Sequence, residues 1–171
     1  MKTLLILRHA KSSWKQSGLT DHDRPLNNRG ERDAPQMGRF VHRQGLRPDL
    51  IVSSTARRAR STAQAVADHS GCDADVQLEP DFYHAGISAI IHVLREVPDD
   101  CPRVMIVGHN PIFEEFLARL TGRCAPLPTA ALARLTLPID HWAELGTSTR
   151  GDLVGVWRPD KETGEIVPLD E

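Results

Sequence analysis

Three short stretches, Thr3 to Leu7, Leu50 to Ser53 and Val104 to Val107, run apolar without the alternation of a half-exposed strand. A strand carries that pattern when both of its faces are covered, as in the middle of a parallel sheet packed between helices. The segments between supply the helices. Ala59, Thr62, Ala63, Val66 and Ala67 fall at i, i+3, i+4, i+7 and i+8; Ile87, Ile90, Ile91 and Leu94 repeat the stripe, as do Phe113, Phe116, Leu117 and Leu120. An earlier helix is expected over roughly Asn28 to Gln44, with Asn28 and Glu31 at capping-box spacing and Pro35 arguing for a kink or a later start. Asp75 to Leu78 gives a fainter strand signal, Leu132 to Leu137 a clearer one, and Leu153 to Trp157 reads as a last edge strand. Between the last two, Pro138 to Asp152, with Trp142, reads as a surface excursion. Strands alternating with helices predict an α/β fold, a three-layer αβα sandwich around a mostly parallel sheet.

A length of 171 residues suits one domain spanning residues 1–171. A formal net charge of −2 carries no basic excess of the kind nucleic acid attracts, so anion binding must be local. The apolar run of the N-terminus stops at Arg8, too short for a signal-peptide core or a membrane span, and a cytoplasmic location is the expectation. Cys72, Cys101 and Cys124 are odd in number and widely spaced; they suggest buried thiols rather than a disulfide framework or a zinc site.

In open α/β sheets, ligands collect beyond the carboxyl ends of the strands, where loops lead into helix N-termini. That rule selects Arg8 and His9 after the first strand, Ser53 to Arg58 after the second, and Gly108 to Pro111 after the run at Val104. Two histidines and several arginines thus share one rim. Asn110 as N-cap with Pro111 at the first helical position is a start signal for the helix that follows. Phosphoryl transfer needs a nucleophile in line with the leaving group and cations around the equatorial oxygens. A neutral imidazole attacks with little prior deprotonation, and an arginine fork matches phosphate oxygens.

The string from Leu4 to Trp14, with Arg8-His9-Ala10-Lys11, resembles the Arg-His signature of the histidine phosphatase superfamily, in the form of its short SixA-type phosphohistidine phosphatases. Asp21 to Gly30 resembles the Arg-Pro-Leu…Gly segment of that branch. Ser53 to Ala63 is similar to its Ser-Ser-Pro-x-x-Arg-Ala-x-x-Thr-Ala motif, with Thr55 where proline is usual, and Val107 to Pro111 to the second-histidine motif. The resemblance implies a phosphoglycerate-mutase-like fold, no cofactor, and His9 as the phosphorylated nucleophile, with Arg8, Arg58 and His109 forming the phosphate pocket. The arginine directly before Ala59-x-x-Thr62 is Arg58, which leaves Arg57 on the surface.

Arg24 and Lys11 stand outside the catalytic set; Arg24 could touch substrate or pair with Asp21 or Asp23. Ser12 and Ser13 are expected to bond local backbone. A proton donor is not evident. Glu79 and Asp81 are the candidates, but the Tyr83-x-Ala85 ending of that segment resembles the SixA branch, which lacks the usual acid. A phosphoramidate needs less help from an acid than an ester does. With one helix nearly filling Ala85 to Asp100 and no lid-sized insertion, an open mouth is expected, and with it a phosphohistidine-bearing protein as substrate. A small-molecule phosphomonoesterase or mutase using the same His9 chemistry is the first alternative, and a non-catalytic phosphate-sensing module the second. His22, His42, His69, His84, His92 and His141 show no i, i+4 pairing, and no metal is predicted; no Gly-x-x-x-x-Gly-Lys or Gly-x-Gly-x-x-Gly turn points to a nucleotide.

Overall fold

The N-terminal apolar run becomes β1 (Lys2–Arg8) in the computed structural model, which describes residues 1–73, 75–84 and 86–169. The chain continues through α1 (Asn28–Arg43), β2 (Leu50–Ser54), α2 (Arg57–Ser70), β3 (Val76–Glu79), α3 (Asp81–His84) and α4 (Ile87–Arg95). It ends with β4 (Arg103–Gly108), α5 (Ile112–Thr121), β5 (Leu132–Leu137), β6 (Asp152–Pro159) and β7 (Ile166–Pro168). The described strands form one sheet in the order β3-β2-β4-β1-β5-β6-β7. β1, β2, β3 and β4 pair in parallel, and β5, β6 and β7 add antiparallel neighbours at one side. β6 again points along β1, so the sheet is mixed and mostly parallel.

The three apolar runs occupy its centre, where alternate residues serve opposite layers. Leu4, Ile6, Val104 and Ile106 pack with Phe82, Ile90, Leu94, Phe113 and Phe116 under α3, α4 and α5. Leu5, Leu7, Met105 and Val107 pack with Met37, Val41, Ala59, Ala63 and Val66 under α1 and α2. Every one of these side chains is essentially buried. At roughly 1.5–3 kcal/mol for each large apolar side chain, the two layers dominate folding. No helix among the described residues is long and apolar enough to cross a membrane.

Several local expectations are corrected. The cap of α1 is Asn27, not Asn28: its side chain accepts from the Gly30 amide at 2.9 Å, and the helix runs on through Pro35. α5 begins at Ile112 rather than Pro111, because the Asn110 side chain donates to Glu114 Oε1 at 2.8 Å and the Leu127 carbonyl at 2.9 Å instead of capping the helix. The segment from Ala85 to Asp100 holds a nine-residue helix, and Ala85 itself lies outside the described residues. β6 is not the edge. A turn in which Asp160 Oδ1 accepts from the Glu162 and Thr163 amides sends the chain back as β7. Trp142 is fully buried rather than on a surface excursion, its indole donating to the Cys101 carbonyl at 2.8 Å. Cys124 is exposed and Cys72 and Cys101 half-buried, so the thiols are not core residues.

Candidate active site

Parallel pairing determines where the two rim histidines emerge. Arg8 of β1 lies opposite Gly108 of β4, so the next residue of each strand, His9 and His109, leaves the sheet from adjacent strands about 4.8 Å apart. Their ring centroids are 5.1 Å apart. The backbone of His9 is held on both sides, its amide donating to the Gly108 carbonyl and its carbonyl accepting from the Ala130 amide, each at 3.0 Å. Gly108 must be small, since a Cβ there would stand 2.7 Å from the Phe113 ring.

α2 brings Arg58 to the same point. Thr62, one turn after Arg58, donates to the Arg58 carbonyl at 2.7 Å and accepts from the Ala10 amide at 2.9 Å. A single hydroxyl therefore couples the helix carrying the guanidinium to the loop carrying His9. Arg58 is buried and Arg57, beside it, is exposed. Arg8 donates through Nη1 to the Leu127 carbonyl at 3.0 Å, and its buried Nε has no partner among the described residues.

The His9 ring is set for attack through one nitrogen. Nδ1 lies 2.7 Å from the Ala10 carbonyl, an acceptor only, so Nδ1 carries the hydrogen and Nε2 the lone pair. Burial depresses the pKa to about 4, with the charges of Arg58, Arg8 and Arg24 acting the same way against the Ala10 bond. His109 Nε2 lies 2.8 Å from Ser54 Oγ, and its buried Nδ1 has no partner among the described residues. Its pKa falls to about 3, through burial first and then the neighbouring His9 and Arg58.

Two buried neutral imidazoles leave a signature in stability. The unfolded chain takes up protons on them near pH 6.5, whereas the folded chain does not until about pH 4 and about 3. The stabilisation is complete above pH 6.5 and is lost as pH falls toward 4, at up to roughly 1.4 kcal/mol per pH unit for each ring. Melting temperature should decline steadily from pH 6.5 to 4.5, and His109→Gln should flatten that slope by about half.

His9, His109 and Arg58 are only 7%, 8% and 7% exposed, and the segment leading to Arg24 reaches Arg58 at the rim. A one-turn 3-10 helix, Asp21 to Asp23, places the Asp21 carboxylate on Arg58, Nη2 to Oδ2 at 3.0 Å, while Arg58 Nη1 donates to the Asp21 carbonyl at 2.7 Å. Asp21 Oδ1 accepts from Arg24 at 2.8 Å and Oδ2 from the Tyr83 hydroxyl at 2.6 Å. Those donors, Tyr83 foremost, hold the Asp21 carboxyl well below the usual carboxylate range. Arg24 is buried; it also donates to the Ser12 hydroxyl and the Ser13 carbonyl, and its guanidinium stacks 3.2 Å over Trp14.

Glu79 Oε1 accepts from the Asp81 amide at 3.3 Å, at the start of α3, and Asp81 is exposed. Lys11 is half-buried in the loop after His9, and its carbonyl accepts from the Asn27 amide at 2.9 Å. Sequence reasoning missed Ser54 and Tyr83 at this site, and anticipated Asp21 only as a partner of Arg24. No spacing links Tyr83 to Asp21 across 62 positions. For Ser54 a signal existed, a hydroxyl ending a buried strand beside Arg58.

Residues 4–89 match the family model described as histidine phosphatase superfamily, branch 1. An uncharacterized chloroplastic protein of Arabidopsis thaliana is 34% identical over 152 residues, 84% of this chain and 70% of that protein. The crystal structure of SixA from Agrobacterium tumefaciens, named as a candidate phosphohistidine phosphatase, matches with a TM-score of 0.78 at 30% identity, over 93% of this chain and 99% of that one. A 2,3-bisphosphoglycerate-dependent phosphoglycerate mutase of Thermobifida fusca is 37% identical over 73 residues, 42% of this chain and 30% of the mutase.

Proposed function

Because the chain belongs to the histidine phosphatase superfamily, whose members act as phosphatases or mutases on a phosphoglycerate-mutase-like fold, we propose that it hydrolyses phosphohistidine on a protein through a phosphohistidine of its own at His9. The observation that carries this reading is the His9 ring, neutral at pH 7 with Nδ1 tied to a carbonyl and the Nε2 lone pair left to attack. Arg8, Arg58 and His109 are the proposed phosphate pocket. Two of the five N–H bonds of Arg58 go to Asp21, and the planar fork of its guanidinium suits the oxygens of a phosphoryl group.

In the first step the Nε2 lone pair forms a bond to phosphorus as the bond to the leaving group breaks, and the leaving atom keeps that electron pair. In the second, water attacks the same phosphorus, His9 recovers its lone pair, and phosphate departs. No step calls for a cofactor. Two features favour a phosphoramidate over an ester. Glu79 is engaged in starting α3 and Asp81 is exposed, so neither is arranged as an acid for an alkoxide. The name of the Agrobacterium neighbour points the same way. A cytoplasmic location is part of the reading.

The test is turnover of a phosphohistidine-bearing protein beside a panel of sugar and carboxylic-acid phosphates. The reading expects kcat/KM for the phosphohistidine protein to exceed the best ester by at least roughly a hundredfold, about 2.7 kcal/mol of transition-state discrimination. An ester turned over as well would assign the site to small-molecule phosphates, and phosphate binding without turnover of anything would make the chain a sensor.

A further inference from the structure

The two-step hydrolysis has no use for a carboxylate, yet one adjoins its anion pocket. Asp21 is seated by Arg24 on Oδ1 and by Arg58 and Tyr83 on Oδ2. A hydroxyl and two guanidinium groups all donate to it, an arrangement only the ionised form accepts in full. Its side chain remains 48% exposed, on the rim. The Tyr83 ring beneath it stands 5.6 Å from that of His109, which stands 5.1 Å from His9. For a phosphoester this is the wrong charge. Breaking P–O leaves an alkoxide that must gain a proton; an ionised Asp21 has none to give, and its field opposes the growing negative charge.

For a phosphorylated imidazole the same charge helps, and we infer that Asp21 selects phosphohistidine over phosphoesters by accepting a hydrogen bond from the second, protonated nitrogen of the substrate ring. The inference rests on the reading of the site given above and names what makes it selective. A phosphoimidazole protonated on its far nitrogen carries a positive charge. When His9 Nε2 forms the new P–N bond, the electron pair of the breaking P–N bond returns to the ring, which leaves as neutral imidazole with its far N–H unchanged. No proton moves in that step, so no acid is required. Asp21 raises the fraction of substrate in the reactive protonated form, and holds its ring against the rim.

The measurement is kcat/KM for N-phosphoimidazole and for phenyl phosphate on the wild type and on Asp21→Asn, Asp21→Ser and Asp21→Glu. Both neutral variants should lower the phosphoimidazole-to-phenyl phosphate ratio roughly tenfold or more, the scale of one charge-assisted hydrogen bond, and Asp21→Glu should hold it within about threefold. An unchanged ratio in a variant that melts cooperatively overturns the inference. So does an equal rise for both probes, which would make Asp21 a plug on Arg58. A readout on the wild type alone needs no variant: 1-phospho-3-methylimidazolium keeps the positive charge but lacks the N–H. Relative to spontaneous hydrolysis it should react at least about tenfold more slowly than the protonated parent, and equal rates would sink the idea. A wild type with no preference for phosphoimidazole refutes the phosphohistidine reading itself, whereas a preference indifferent to Asp21 refutes only this step.

Discussion

His9→Ala should abolish phosphoenzyme formation. Incubated with a labelled phosphodonor, the wild type should take up label that is lost in acid and kept in alkali, as a phosphorus–nitrogen bond behaves, and the variant should take up none. Turnover should fall by at least about 10⁴-fold, since the covalent route disappears and the pocket residues can then only orient water. The variant should fold. The backbone bonds that seat residue 9 run to Gly108 and Ala130 and need no imidazole, and the ring itself makes one hydrogen bond, to its neighbour Ala10. Removing a buried imidazole also removes the acid sensitivity it causes, so the variant should melt less steeply with falling pH than the wild type. Equal labelling of variant and wild type would move the nucleophile to another residue, with His109 first in line, 5.1 Å away.

The second large effect is expected at Arg58. Arg58→Ala should lower kcat/KM by roughly 10²- to 10³-fold, the scale on which removing one preorganised donor from a transition state is felt. Arg58→Lys should recover only part of this, because an ammonium retains the charge without the planar fork. Arg57→Ala is the control. Arg57 precedes Arg58 in sequence and carries the same charge, but it is exposed at the start of α2 and should matter little. The comparison separates a general loss of positive potential, to which both would contribute, from a specific contact to the phosphoryl oxygens. Comparable losses at the two positions would remove Arg58 from the pocket.

Much of the architecture was legible because burial on both faces writes itself into consecutive residues. β1, β2 and β4 each hold an unbroken apolar run, Leu4–Leu7, Leu50–Val52 and Val104–Val107, and their positions follow from it. β3 signals faintly for the same reason: it lies at the sheet edge with Gln77 and Leu78 exposed, so little of it is constrained. β7 escaped notice because three residues at the other edge, after a polar turn, leave no periodicity to read. Trp142 was misjudged through its neighbours. The turn formers around it are surface residues, but the indole itself reaches back to the carbonyl of Cys101 and fills the core.

The sequence by itself determined which side chains would crowd one rim, since a strand's end is local information and parallel pairing of adjacent strands then leaves the following residues few places to go. His9 after β1, His109 after β4 and Arg58 in the first turn of α2 follow from that logic. Only the tertiary structure decided what stands over them. Asp21 and Arg24 come from a one-turn 3-10 helix and its C-terminal flank, and Tyr83 from α3, 62 positions beyond Asp21, and nothing in their order along the chain announces that they meet. Their contact depends on the path of a segment free of periodic constraint, held by the bonds of Asp21 to Arg24, Arg58 and Tyr83.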